Sequence, residues 1–141
     1  MKTIFTKIAS ILAFMIGAMA IFAGGQVLLG KDPGYYVINW LPVYNYTAGI
    51  LTFFITAILI WVNNKFALAA AIGTFSVHAL VMVILQTAYR DVVAPDSIMA
   101  MTVRMVVWGI VLVLIFFQQR KRMAAQTSMS STKFTSSKAA R

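Results

Sequence analysis

Six residues have the chemistry and the spacing to form one polar site in an otherwise apolar sequence: Asn45, Thr52, His78, Gln86, Arg104 and Trp108. Arg104 stands out, because it interrupts the apolar run from Ile98 to Phe117. A guanidinium carries five N–H donors and a permanent charge, so it can hold an anion, a lipid headgroup or the carbonyl of a lipophile. Trp108, one helical turn on, offers a ring face for a cation–π contact. His78 can take or give a proton near neutral pH. The amides of Asn45 and Gln86 and the hydroxyl of Thr52 donate and accept without charge.

Each residue also has a plainer reading. Arg104 lies about 9 Å of helix past Ile98, shallow enough to snorkel to an interface or to pair with Asp91 or Asp96. His78 alone can be a hydrogen-bonded packing residue. The missing groups matter as much. With no cysteine and one histidine, the chain builds no disulfide, thiolate metal site or dithiol relay, and one histidine makes a poor metal site. Haem between two histidines would need a second chain. The three acids, Asp32, Asp91 and Asp96, lie outside the long apolar runs, whereas a proton-coupled transporter normally buries a carboxylate. No GxSxG, HExxH or glycine-rich phosphate loop is present. The expectation is a non-enzymatic protein with no cofactor and no metal.

The elements that must position these residues follow from composition. The sequence is 61% hydrophobic and 11% charged, against about 25% charged in soluble domains. Its mean hydropathy is +0.86. Four apolar runs approach the ~20 residues a membrane helix needs: 8–29, 44–62, 66–88 and 98–117. Helices satisfy their own backbone hydrogen bonds in lipid. The expected fold is therefore all-α and integral to a membrane, a four-transmembrane-helix antiparallel bundle over 1–117. The Ser/Thr-rich segment 118–141 should form a disordered basic tail. Asp96 is the expected cap of the fourth helix, with Pro95 ahead of it.

Small residues mark close helix approach in lipid, and Ala9, Ala13, Gly17, Ala20 and Gly24 form such a stripe in the first run. Polar residues form stripes at helical spacing in the others: Asn45, Gly49, Thr52, Thr56 and Asn63; Thr74, His78, Gln86 and Tyr89; Ser97, Met101, Arg104 and Trp108. Polar residues of spans face bundle interiors, so the three stripes predict a polar seam in the outer half of the bundle. The Tyr- and Trp-rich segment 30–49 reads as an interfacial aromatic belt or as a lid over that seam.

The net charge of +9 reflects topology rather than nucleic-acid binding. Six basic residues (Arg120, Lys121, Arg122, Lys133, Lys138, Arg141) follow the last span, Lys2 and Lys7 precede the first, and Lys65 sits in the short turn after the second. The other side has Lys31 beside Asp32 and Arg90 beside Asp91. The positive-inside rule then puts both termini in the cytoplasm, and a bacterial inner membrane is the expected location. Membrane lipids are the expected partners, with a homo-oligomer or a membrane-complex subunit as further candidates. The start also has the basic region and Ala18–Ala20 pattern of a signal peptide, but its apolar stretch runs on to Leu29, longer than the usual ~7–15 residues.

The stretches AIFAGGQVLLG and LPVYNYTAGILTFFITAILIWVNNKFALAAAIGTF resemble the DoxX-like group of small bacterial four-span membrane proteins. That resemblance, over roughly residues 14 to 115, implies a four-helix fold with accessory or redox-linked roles. The acidic residue expected early in the second span of that group is absent, so no functional residue is carried over. Three functions remain open: an accessory or lipid-interacting membrane protein, a binder of a lipophilic small molecule such as a quinone or lipid in an outer-half pocket, and an oligomeric channel or exporter.

Overall fold

The computed structural model describes residues 4–139, with side chains through Ser128 apart from Arg122. Lys2 and Arg141, counted above, lie outside the described residues. Four helices are long and apolar enough to cross a membrane: α1 (Ile4–Leu28), α2 (Leu41–Trp61), α3 (Ala67–Thr87) and α4 (Pro95–Ala139). No strand occurs among the described residues. The large residues facing outward, among them Met19, Phe22, Leu80, Val83, Met99 and Val106, are apolar. A helix apolar on all sides is one whose surroundings are apolar as well.

Local chemistry sets the helix ends. α2 begins at Leu41, earlier than the apolar run suggests, because Pro42 suits a first helical turn that needs no amide donor. It ends where Asn63 adopts a left-handed φ of 56°. Oδ1 of Asn64 then accepts from the Phe66 amide at 3.0 Å, closing a tight turn into α3. α4 opens on Pro95. Asp96 does not cap it: the amides of Ser97 and Ile98 bond to the Ala94 carbonyl, and Asp96 lies inside the first turn, where its charge complements the helix dipole.

In α4 the helix continues past the apolar run, through 118–139. Gln118, Gln119, Arg120, Lys121, Met123, Ala124 and Ala125 are good helix formers. An existing helix ahead of them removes the cost of nucleation.

α1 and α2 are the closest pair. A Cβ on Gly49 would lie 2.7 Å from the Ile21 amide nitrogen, and one on Gly24 would lie 2.7 Å from that of Tyr46. The backbones therefore touch, as the small-residue stripe predicts, and all five of its residues are buried. Ser10 adds a bond from Oγ to the Ala57 carbonyl at 2.7 Å.

Midway along α2 one turn, Thr52–Thr56, is π-helical, with the Ala57 amide bonded to the Thr52 carbonyl. Thr52, Thr56 and Ala57 are all buried there. Two apolar clusters complete the interior. One joins Ala9, Ala13, Ala57, Ile60, Ala71, Trp108 and Val111. The other joins Ile38, Leu41, Val81, Leu85 and Met101, so the segment between α1 and α2 is pinned into the bundle by Ile38.

Candidate functional site

α4 carries Arg104 and Trp108 one turn apart, both turned inward and buried. The start of α2 brings Tyr44 and Asn45 to the same level, and α3 contributes His78. Arg104 is only 8% exposed, and its Nη1 donates to Oδ1 of Asn45. No carboxylate pairs with it among the described residues. Asp91 and Asp96, the expected partners, are exposed on the connection to α4 and at its first turn. Asp32 instead accepts from the Gly34 amide at 2.9 Å, in the segment after α1. Taking a charge out of water costs several kcal/mol or about that order unless it is paired and hydrogen-bonded. A neutral amide meets only part of that demand.

Beside the guanidinium lies a largely enclosed cavity of about 70 Å³. Its walls come from all four helices and the segment before α2, with Tyr35, Asn45, Ser97 and Arg104 as polar lining among Ala23, Leu41, Leu85 and Met101. One water needs roughly 10–15 Å³ of such volume, so a head of several heavy atoms fits. Tyr35 and Val37 of the α1–α2 connection contribute to its wall.

Below the cavity a group of rings fills the interior. Tyr44 packs edge-on to His78 at 5.8 Å between centroids, and His78 against Trp108 at 6.4 Å. Trp40 continues the series outward, 6.2 Å from Tyr44 and 6.0 Å from Tyr89. Nδ1 of His78 lies 2.9 Å from the Thr74 carbonyl oxygen. A carbonyl only accepts, so Nδ1 carries the hydrogen in that bond. The Tyr44 hydroxyl and Trp108 Nε1 are buried with no hydrogen-bond partner.

The six sequence candidates therefore divide. Arg104 and Asn45 are bonded; His78 and Trp108 are stacked one layer beneath. Trp108 meets His78 rather than serving Arg104 as a cation–π face, and the described cation–π pairs lie elsewhere, at Lys7–Trp61, Lys65–Phe66, Arg120–Phe116 and Lys121–Phe5. Thr52 is buried but lines a separate crevice of about 260 Å³ between α2 and α3, with Thr56, Thr74 and His78.

Gln86 does not join the seam. It is exposed, beside Arg90 and Pro95 in a surface recess. Eight residues past His78 it stands about 80° around the helix, whereas Leu85, at seven, returns to within about 20° and is buried. Tyr44, absent from the candidates, is central. Its neighbour Asn45 was the available signal, but a tyrosine at a span's start also fits an interfacial belt.

Among described residues no three of His, Cys, Asp and Glu gather as a metal site would require. The arrangement can bind: it offers a fixed cation, orphaned donors and flat aromatic walls. No family model matches the chain, and neither a curated protein nor a solved structure matches it.

Proposed function

We propose that this chain is a non-enzymatic, lipid-interacting protein of a bacterial inner membrane that holds a lipophilic small molecule in the Arg104 cavity. Its four helices cross as an antiparallel bundle, with both termini and the 118–139 extension in the cytoplasm, and the cavity opens toward the outer leaflet. The asymmetry of Lys and Arg described above supports that orientation.

One observation carries the reading. Arg104 is buried against a cavity, with a neutral amide as its described hydrogen-bond partner. Intramembrane charges tend to be paired or to mark a ligand path. An acceptor-bearing head in the cavity completes the coordination of the guanidinium. Native mass spectrometry of protein purified in mild detergent, with extraction of the same sample, tests it. A stoichiometric lipophile is expected on the wild type and lost from Arg104→Ala, with the fold retained by circular dichroism. Unchanged ligand content in that variant would sink the reading.

A further inference from the structure

Resting on that pocket reading, we infer the class of its ligand: a flat, neutral lipophile with two acceptor oxygens at opposite ends of a ring, as in a benzoquinone. The outer oxygen meets Arg104, and Tyr44 and Trp108 are the donors for the deeper one.

The case begins with the two orphans. Buried polar atoms are almost always paired, yet the Tyr44 hydroxyl and Trp108 Nε1 are both bare and both belong to rings packed on His78. An indole N–H can only donate, so whatever satisfies Trp108 is an acceptor. Arg104 likewise only donates. The site therefore has donors at two levels and no carboxylate at either.

The two levels adjoin. Tyr44 packs against the apolar cluster that contains Leu41, Leu85 and Met101, and those three residues line the Arg104 cavity. Arg104 and Trp108 are one turn apart on α4, and Tyr44 directly precedes Asn45, the hydrogen-bond partner of Arg104. The rings lie outside the cavity lining, so a ligand reaches the deeper donors by displacing the side chains packed between.

Two other ligand classes fit less well. A single-headed anion would satisfy Arg104 and leave the deeper donors bare. A phospholipid keeps its oxygens at headgroup level, whereas Trp108 is 13 residues past Pro95, about 20 Å along the helix in a hydrocarbon layer about 30 Å thick. A neutral ring crosses that depth readily, and Tyr44, His78 and Trp108 present the faces and edges that aromatic rings pack on.

The test uses the full chain in mild detergent, titrated calorimetrically with a decyl-tailed benzoquinone and with dodecanoate, a single-headed probe of similar tail. Tyr44→Phe keeps the ring and removes the donor, and Trp108→Phe removes the indole N–H while keeping an aromatic ring at the position. Each is expected to weaken the benzoquinone about five- to tenfold and to leave dodecanoate unchanged, while Arg104→Gln weakens both. Wild type that fails to bind the benzoquinone, or donor variants that bind it as tightly as wild type, would overturn the two-ended class. The pocket reading is judged separately: it stands if Arg104→Gln loses dodecanoate and the co-purified lipophile, and falls if that variant keeps them.

Discussion

Arg104 on α4 bonds through its guanidinium to the amide oxygen of Asn45 on α2, 59 positions earlier in the chain. A neutral acceptor faces a buried cation where a carboxylate would neutralise it. Asn45→Asp should therefore convert the contact into an ion pair and occupy the donors that the proposed ligand uses. The expected result is a folded protein that has lost its lipophile, read by native mass spectrometry. Asn45→Ala, which deletes the acceptor, should lower stability by about 1–3 kcal/mol, seen as an earlier thermal transition in detergent. An Asn45→Asp protein that retains its lipophile would remove Arg104 as the anchor.

The unpaired Tyr44 hydroxyl and Trp108 Nε1 make a prediction for the empty protein. An unsatisfied buried donor costs about 1–3 kcal/mol, and its replacement by an apolar group of the same shape is neutral or favourable. Tyr44→Phe, which keeps the ring, should thus melt at or above the wild-type temperature once bound lipophile is stripped. With lipophile present the order should reverse, because only the wild type gains the bonds. Clear destabilisation of the stripped Tyr44→Phe variant would mean that the hydroxyl has a partner in the protein itself.

Close approach of α1 and α2 rests on Gly24 and Gly49, where an added Cβ would meet backbone atoms at 2.7 Å. Gly24→Ala and Gly49→Ala must push the helices apart, at a cost of about 1–3 kcal/mol each. Gly73 and Gly109 have nothing within 4 Å of such a Cβ. Alanine there should be neutral or stabilising by up to about 1 kcal/mol through helix propensity. Thermal unfolding of the four variants in one detergent separates the pairs, and equal losses at all four positions would contradict the packing.

These contrasts also mark what was legible in the sequence. The spans follow from the length of apolar runs, and the α1 stripe from small residues three and four apart; both are local signals. The polar seam was only half legible. His78, Thr52, Arg104 and Trp108 are buried as their stripes predict, but Gln86 was admitted on an eight-residue spacing that drifts off the face. The partner of Arg104 was sought among acids because opposite charge is the only pairing visible without coordinates. Tyr44 was hidden in an aromatic segment whose interfacial and interior rings look alike until tertiary packing separates them.

Orientation yields the last prediction, and the absence of cysteine makes it clean, because any introduced thiol reports alone. Lys31, between α1 and α2, and Asp91, between α3 and α4, are both exposed. With the proposed topology they face outward, while Asn64, in the turn between α2 and α3, and Ser128, beyond the apolar part of α4, face the cytoplasm. Lys31→Cys and Asp91→Cys should react with a membrane-impermeant maleimide in intact cells. Asn64→Cys and Ser128→Cys should react only after permeabilisation. The inverse pattern would place the Arg104 cavity in the cytoplasmic leaflet, and the bound lipophile would then have to be sought among molecules of that side. Labelling of all four positions in intact cells would contradict the bundle itself, since turns at opposite ends of membrane-spanning helices cannot share one compartment.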